Sequence, residues 1–354
     1  MKKLLALVLV LMLALPFAAL AAEGTYEIAM VTDIGTIDDK SFNQGTWEGV
    51  VEYAEANGKT YNYFMPNGQS TEIYLDFIEQ AVKAGAKVIV TPGFLFEEPI
   101  YIAQDMYPEV NFILIDGNPH NADYSEFRTE KNAVGIVFAE EQAGFLAGYA
   151  AVKDGYTKLG FMGGMAVPAV IRFGYGFVQG AEYAAKEMGV TGLQLNYHYT
   201  GGFEATPEAQ SLEASWYADG IEVIFACGGA VGDSVMAAAE AADAKVIGVD
   251  VDQSAQSPTT VITSATKGLA PSVVQTLTAM YEGKFPGGEA LVLDAASQGV
   301  SLPMATSQFK TFSQADYDAI FAKLVAGEVA LLKDVDVADV TAIPVTAVTV
   351  TPIQ

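Results

Sequence analysis

The segment from residue 31 to residue 50 reads VTDIGTIDDKSFNQGTWEGV. A strand-like run ends in Asp33, an acidic loop follows, and Ser41, Phe42 and Asn43 stand where a helix is expected to begin. A carboxylate and an amide can accept and donate hydrogen bonds at the edge of a small molecule, while an aromatic ring covers its face. The spacing therefore predicts a binding site for a flat, polar ligand at the end of the first strand.

These residue types also have a purely structural interpretation. Asp39 and Ser41 could simply cap the helix, because short oxygen-bearing side chains satisfy its first backbone N–H groups. Phe42 could be a hydrophobic staple that fixes the path of the chain into the helix. The segment alone does not separate the two interpretations, so the rest of the chain has to decide.

Short apolar runs that end in Gly, Asp or Pro recur along the chain and predict buried strands. The runs are YEIAMVTD, AKVIVTPG, VNFILIDG, AVGIVF, KLGFMGG, LQLNYHYTGG, IEVIFACGG and AKVIGVD. Helical stretches separate most of them, for example 43–56, 72–84, 168–188 and 234–242. This alternation predicts an α/β protein whose parallel sheets carry helices on both faces.

Two doubly wound lobes fit this pattern better than a single barrel of repeated β-α units. The run AVGIVFAEEQAGFLAGYA near residue 135 is interpreted as the passage from a finished first sheet into a second series. Further elements are expected as a helix at 270–281, a strand at LVLDAA and a helix at 314–325. The Val/Thr-rich end of the chain is expected to be extended, with no function assigned to it.

Composition and charge limit the partners. The chain has 354 residues, of which 51% are hydrophobic, and its formal net charge is −25. Such acidity repels polyphosphates and nucleic acid at long range. Arg128 and Arg172 are the only arginines, and arginine is the usual bidentate phosphate ligand. We therefore expect a neutral or cationic ligand and no nucleic-acid partner, although acidity could also serve only to keep an exported protein in solution.

The amino terminus is typical of an exported protein. Residues 1–22 contain two lysines, an apolar run over 4–15 and small residues near the end, which together predict a cleavable secretory signal. The apolar run is short for a membrane anchor. Cys227 is the only cysteine, so no internal disulfide is expected and no cysteine follows the apolar run to carry a lipid. An exported protein is predicted, in the periplasm or at the outer face of the cytoplasmic membrane, and the free form is favoured.

Ligands of open parallel sheets bind beyond the carboxyl ends of the strands. Beyond the predicted strand ends lie Asp33, 91–93, Asp116, 163–164, Phe203, Gly228, Gly229, Asp250, Asp252 and Lys267. Phe42 and Phe203 would come from opposite lobes and could sandwich a flat heterocycle. Asp33 and Asn43 could bind the edge of a base. Asp250 could accept hydrogen bonds from paired ribose hydroxyls, with Lys267 donating to the same ring.

Five segments carry a resemblance to a known family. They are TDIGTIDDKSFNQGTWEGV at 32–50, IDG at 115–117, GGAVGDSV at 228–235, VIGVDVDQS at 246–254 and VITSATK at 261–267. In combination they resemble the basic membrane protein family, bacterial solute-binding proteins of ABC importers whose best-understood branch comprises purine-nucleoside receptors. Members are commonly lipoproteins, and this chain lacks the acylated cysteine.

The resemblance implies a type I periplasmic-binding-protein fold, in which two doubly wound parallel-sheet lobes are joined by a hinge of three crossing strands. The expected lobes are 23–137 with 266–297, and 138–265 with 298–354. The implied ligand is a purine nucleoside such as guanosine, inosine or adenosine, and the implied partner is an ABC permease in the membrane. We expect a monomer without cofactor or bound metal.

The resemblance also assigns roles to individual residues. It implies that Asp33, Phe42 and Asn43 bind the base and that Phe203 completes the stack. The aspartate of the IDG segment corresponds to Asp116. The residues expected to complete the ligand site are Ser41 beside Phe42, the backbone at Gly228 and Gly229, and Asp250 with Lys267 at the ribose.

Three other functions remain as alternatives. A sugar receptor of the same fold could use the two phenylalanines around a pyranose ring. A nucleoside-cleaving enzyme could use Asp33 or Asp250 as a base, but no GxSxG or HExxH motif marks a catalytic centre, and His120 and His198 are the only histidines. A transcriptional repressor would need a DNA-binding headpiece, and the predicted export signal and acidity oppose that function.

Overall fold

The computed structural model of the chain describes residues 25–353. The predicted signal peptide at 1–22 lies outside the described residues. The first sheet has six parallel strands in the order β11-β5-β4-β3-β1-β2. Its strands are β1 (Ile28–Val31), β2 (Tyr61–Phe64), β3 (Val88–Pro92), β4 (Asn111–Ile115), β5 (Ala133–Phe138) and β11 (Ala290–Leu293).

The second sheet has seven strands in the order β12-β10-β9-β8-β6-β7-β13, and only the β10–β12 pair is antiparallel. Its strands are β6 (Lys158–Gly163), β7 (Leu193–Tyr199), β8 (Val223–Cys227), β9 (Lys245–Asp250), β10 (Val261–Lys267), β12 (Val300–Ser301) and β13 (Val348–Pro352). The central strands of both sheets are buried on both faces. This burial explains why they read as continuous apolar runs.

Helices cover both sheets. They are α1 (Phe42–Asn57), α2 (Thr71–Lys83), α3 (Glu97–Met106), α4 (Glu140–Lys153), α5 (Pro168–Met188), α6 (Pro207–Ala218), α7 (Val231–Ala242), α8 (Leu269–Tyr281) and α9 (Gln314–Val325). The chain passes between the sheets three times, after β5, after β10 and after β11. Within residues 25–353, no helix combines the length and apolar character needed to span a bilayer.

The predicted fold class is confirmed, and the barrel alternative is wrong, because the strands form two open sheets with separate edges. The helices predicted at 168–188 and 314–325 have those bounds in the structure. The Val/Thr-rich end is extended only in its last part, which forms β13 at the edge of the second sheet, parallel to β7, whereas Val340–Ala342 form a 3-10 helix. The edge strand β2 was missed because its half-exposed residues, YNYF, form no apolar run.

Helices α4 and α5 approach each other with almost no space between their backbones. A Cβ atom added at Gly148 of α4 would lie 2.1 Å from the carbonyl oxygen of Phe177 on α5. One added at Gly176 of α5 would lie 2.1 Å from the carbonyl oxygen of Glu141 on α4. Only glycine permits such backbone contact. The contact brings the beginnings of both helices, with their charged residues, to the same end of the second lobe.

A glutamate is buried in the second lobe without a partner. Glu213 of α6 is completely buried, and in the described part of the chain neither of its carboxylate oxygens has a hydrogen-bond partner. Burial raises the pKa of Glu213 to about 8. The side chain is therefore neutral in the folded protein at pH 7, whereas it is ionised in the unfolded chain.

Replacing Glu213 with Gln should remove a pH-dependent cost of folding. The folded-state pKa lies above the unfolded one, so Glu213 lowers the stability least below the ordinary glutamate pKa and lowers it more as the pH rises to about 8. We expect the free energy of unfolding of Glu213→Gln to exceed that of the wild type by a margin that grows by up to about 1.4 kcal/mol per pH unit in this window.

Urea denaturation at pH 5, 6.5 and 8 measures this margin. The control is Glu208→Gln, because Glu208 lies on the same helix and is exposed. A margin that stays constant with pH would show that Glu213 ionises equally easily in both states.

Candidate functional site

A cavity of about 800 Å³ lies between the lobes, beyond the carboxyl ends of the strands. Residues of both lobes line it. The first lobe contributes the loops after β1, β3 and β4, and the second contributes the beginnings of α5 and α7, the loop after β7, and the ends of β9 and β10. Its volume falls in the range of small-molecule binding pockets.

Asp39 organises the beginning of α1. Its carboxylate accepts hydrogen bonds from the backbone N–H groups of Ser41, Asn43 and Gln44, at 2.9, 3.0 and 3.0 Å. The Ser41 side chain makes no capping bond. Of the two expected caps, Asp39 therefore performs the role, and Ser41 is free to contact another part of the protein.

Asp33 and Asn43 form a hydrogen-bonded pair on the wall of the cavity. Asn43 Nδ2 donates to Asp33 Oδ1 at 3.0 Å, and the backbone N–H of Gly35 donates to the same oxygen at 2.8 Å. Burial raises the pKa of Asp33 to about 6, although these two hydrogen bonds oppose the rise. The pair offers a carboxylate that can change its protonation state within the physiological range.

Phe42 and Phe203 both line the cavity, one from each lobe. Phe203 lies against the backbone of Gly164, where an added Cβ atom would be only 2.6 Å from its ring. Phe42 contacts the Lys267 ammonium, which lies 4.6 Å from the centroid of the ring. Each ring thus packs against another part of the protein and is partly buried.

A buried lysine connects the two lobes at the inner end of the cavity. Lys267 is the last residue of β10 in the second sheet, and its side chain, 2% exposed, pairs with Asp116, which follows β4 of the first sheet. Its Nζ also lies 3.4 Å from Asp250 Oδ1 and 3.7 Å from Glu140 Oε1. Burial alone would lower the pKa of Lys267, but the three carboxylates together raise it above its usual value. The lysine is therefore charged.

The carboxylates outnumber the lysine. Burial raises the pKa of Asp116, and the neighbouring Glu140 and Asp250 add to this rise while Lys267 opposes it. In the described chain, Asp116 Oδ1 has no hydrogen-bond partner. A buried carboxylate oxygen without a partner can accept a hydrogen bond from a ligand hydroxyl.

Arg172 links this cluster to the carboxyl-terminal segment. Its Nε donates to Glu140 Oε2 at 2.7 Å, and its NH1 group lies 3.6 Å from Asp334 Oδ1. Gln179 holds the same segment through both the N–H and the carbonyl group of Leu332. As a result, Asp334 reaches the wall of the cavity.

Comparisons with known proteins agree with this architecture. Residues 26–329 match the family described as Bmp, ABC transporter substrate-binding protein PnrA-like. The chain is 30% identical over 321 residues to the ABC transporter nucleoside-binding protein BmpA of Lactococcus lactis subsp. cremoris, covering 84% of this chain and 87% of that protein. It is 32% identical over 290 residues to Basic membrane protein A2 of Borrelia garinii subsp. bavariensis, covering 80% and 82%.

A solved ABC transporter solute-binding protein from Aeropyrum pernix K1 has a similar fold, with a TM-score of 0.75 at 23% identity over 86% of this chain and 93% of that one.

The chain belongs to the Bmp family of PnrA-like ABC transporter substrate-binding proteins. The resemblance found in the sequence is thereby confirmed.

The structure of this Bmp-family protein brings most of the predicted site residues together. Nine of the ten line the cavity: Asp33, Phe42, Asn43, Asp116, Phe203, Gly228, Gly229, Asp250 and Lys267. Ser41 does not line it, because the residue is completely buried and its hydroxyl donates to Asp250 Oδ2 at 2.6 Å. The ligand contacts of all ten residues remain predictions.

Sequence reasoning missed several charged and aromatic residues of the site. Glu97 begins α3 and lines the cavity, where burial raises its pKa. It also contacts His120, whose two ring nitrogens both have partners, so this histidine is structurally satisfied. The exposed rings of Tyr124 and Phe127 line the cavity from the loop after β4. Glu97 had a usable signal, since it follows the strand that ends at Pro92.

Removing the buried lysine should destabilise the protein in a pH-dependent way. Lys267→Met leaves three carboxylates facing one another, and removing one partner of a buried ion pair typically costs about 3–5 kcal/mol. Protonation of a carboxylate relieves this repulsion. The stability of the variant is therefore retained at low pH and lost as the pH rises. We expect a loss of this size at pH 8 and a smaller one at pH 5.

Urea unfolding at the two pH values measures the loss. Lys284→Met is the matched control, since Lys284 pairs with Glu282 on the surface, where an ion pair contributes little. Equal stability of Lys267→Met and the wild type at pH 8 would contradict the assigned role of Lys267.

Proposed function

We propose that this substrate-binding protein binds a purine nucleoside between its lobes, outside the cytoplasmic membrane, and delivers it to an ABC permease. The observation that carries the proposal is the presence of Phe42 and Phe203 on the same cavity, one from each lobe. The name of the Lactococcus relative, a nucleoside-binding protein, supports the same ligand class. We further propose that the protein is a monomer and acts as a receptor without catalysis.

In the proposed complex the base lies between the two phenylalanine rings. By analogy with nucleic-acid binding, stacking of a base on an aromatic side chain is worth about 1–3 kcal/mol. Lys267 occupies one face of Phe42, so the base would stack on the other face. Asp33 and Asn43 would bind the polar edge of the base.

The ribose would then point toward the buried end of the cavity. Asp116 and Asp250 would accept hydrogen bonds from its hydroxyls, while Lys267 balances part of their charge. The charged residues on the cavity wall are mostly acidic: Asp33, Asp38, Asp39, Glu97, Asp116, Glu204, Asp233, Asp250 and Asp334, against Arg172 and Lys267. This excess would repel the phosphate of a nucleotide, and thereby favour the uncharged nucleoside.

Identifying the natural ligand tests the proposal most directly. Mass spectrometry of the purified, denatured protein should detect a copurified purine nucleoside. Calorimetry should then show binding of guanosine, inosine or adenosine, much weaker binding of the corresponding monophosphates, and none of ribose or glucose. Binding of a free sugar alone would establish the sugar-receptor alternative instead. Release of free base during incubation with inosine would make the protein an enzyme.

Phe203 provides the cleaner test of the aromatic sandwich, because Phe42 also contacts Lys267. We expect Phe203→Ala to weaken nucleoside binding at least about tenfold, as loss of one stacking contact predicts, with little change in melting temperature. The control Phe321→Ala removes a partly buried ring on α9 that packs against Tyr317 away from the cavity. It should lower the melting temperature and leave the affinity unchanged. The reverse pattern would make Phe203 a structural residue.

Asp33 should make binding depend on pH in a way that distinguishes the bases. Guanine and hypoxanthine present an N1–H donor, which pairs with an ionised carboxylate, whereas adenine presents an N1 acceptor beside its amine. Binding of guanosine or inosine would then lower the pKa of Asp33 from its value of about 6 in the free protein. Their affinity should accordingly fall as the pH decreases below 6, by up to about tenfold per pH unit. That of adenosine should not fall in this way.

Calorimetry between pH 4.5 and pH 7.5 measures this difference. Asp33→Asn cannot ionise and should remove the difference in pH dependence between guanosine and adenosine, while leaving the partner Asn43 in place. A guanosine affinity that is independent of pH in the wild type would remove Asp33 from the edge of the base.

A further inference from the structure

Two side-chain hydrogen bonds join the lobes behind the cavity. Ser41 Oγ of the first lobe donates to Asp250 Oδ2 of the second at 2.6 Å. Gln253 Nε2, in the loop after β9, donates to the backbone carbonyl oxygen of Lys40 at 2.9 Å. Ser41 and Gln253 are both buried, and neither lines the cavity. They therefore connect the lobes from positions outside the cavity wall.

The second lobe fixes the orientation of Gln253. Its backbone N–H donates to Ser264 Oγ at 3.0 Å, and its Oε1 accepts from the backbone N–H of Val249 at 3.0 Å. The amide NH₂ group is the part that reaches the first lobe. Because one bond holds its backbone and the other its side-chain oxygen, the position of Gln253 relative to β9 is fixed within the second lobe.

The residue that accepts each of these hydrogen bonds has a left-handed backbone conformation. Lys40 has a φ of 54° and Asp250 a φ of 66°, and Asp116, which pairs with Lys267 across the same boundary, has a φ of 59°. Residues other than glycine rarely adopt this conformation, and it persists where the surroundings hold it. Three such residues thus lie at contacts between the lobes.

We propose that Ser41 and Gln253 are positioning residues that hold the lobes at the angle at which both walls of the cavity contact one ligand. This inference rests on the proposed function for its ligand. Apparent affinity scales with the fraction of molecules in the competent arrangement. Loss of either bond should therefore weaken every ligand by the same factor and leave the order of ligand preference unchanged.

Two variants test the proposal. Gln253→Met keeps the length of the side chain and removes its amide, and Ser41→Ala removes only a hydroxyl oxygen. In each, small-angle X-ray scattering of the ligand-free protein should show a larger radius of gyration than in the wild type. The affinity for guanosine, inosine and adenosine should fall about fivefold to tenfold, in parallel, as the loss of one hydrogen bond predicts.

Gln308→Met is the matched control. Gln308 Nε2 donates to the backbone carbonyl oxygens of Pro258 and Val261, both within the second lobe and before or at the beginning of β10. The same chemical change there should leave both scattering and affinity at wild-type values.

Wild-type scattering from folded Ser41→Ala and Gln253→Met proteins would overturn the proposal, whatever their affinity, because an effect through Asp250 alone would not open the lobes. Should Gln253→Met fail to fold, Ser41→Ala decides the question. If the wild type binds no nucleoside, the proposed function fails. The scattering of the ligand-free variants still decides whether these residues set the angle.

Discussion

The cavity depends on one buried cation. Lys267 stands at the end of β10, where the chain passes from the second lobe back to the first, and it faces Asp116 of one lobe and Asp250 and Glu140 of the other. Each carboxylate would be costly to bury alone, and the lysine would be costly without them. Their mutual dependence places the carboxylates of two separate sheets within reach of one small molecule. It also explains why the inner end of the cavity is both polar and nearly closed to solvent.

The glycine contact between α4 and α5 makes this arrangement possible. Because the helix backbones touch, Glu140 at the beginning of α4 can reach both Lys267 and Arg172 of α5. Arg172 in turn approaches Asp334, so the ion network extends from the hinge to the carboxyl-terminal segment. The segment between α9 and the Val/Thr-rich end thus contributes to the wall of the site through Asp334.

Much of the fold could be predicted from the sequence because its central strands are buried on both faces and read as apolar runs. Because these runs also show where each strand ends, the rule that ligands bind beyond the strand ends placed Asp33, Asp116 and Asp250 at the cavity. The position of Ser41 could not be predicted, since its direction depends on Asp39 taking over the helix cap. The ion pair of Glu140 and Arg172 could not be predicted either, because it depends on how closely two helices pack and not on any local sequence pattern.

The division of the site between lobes bears on how a substrate-binding protein signals its state. An aromatic ring on each lobe can cover the two faces of one planar ligand only at a particular angle between the lobes. A ligand that contacts both rings stabilises that angle and no other, since it can shift a conformational equilibrium only through its differential affinity for the two states. The acidic wall would add selectivity by charge. Stacking would thus act together with the interlobe hydrogen bonds of Ser41 and Gln253 to favour the one lobe angle that a permease can recognise from outside.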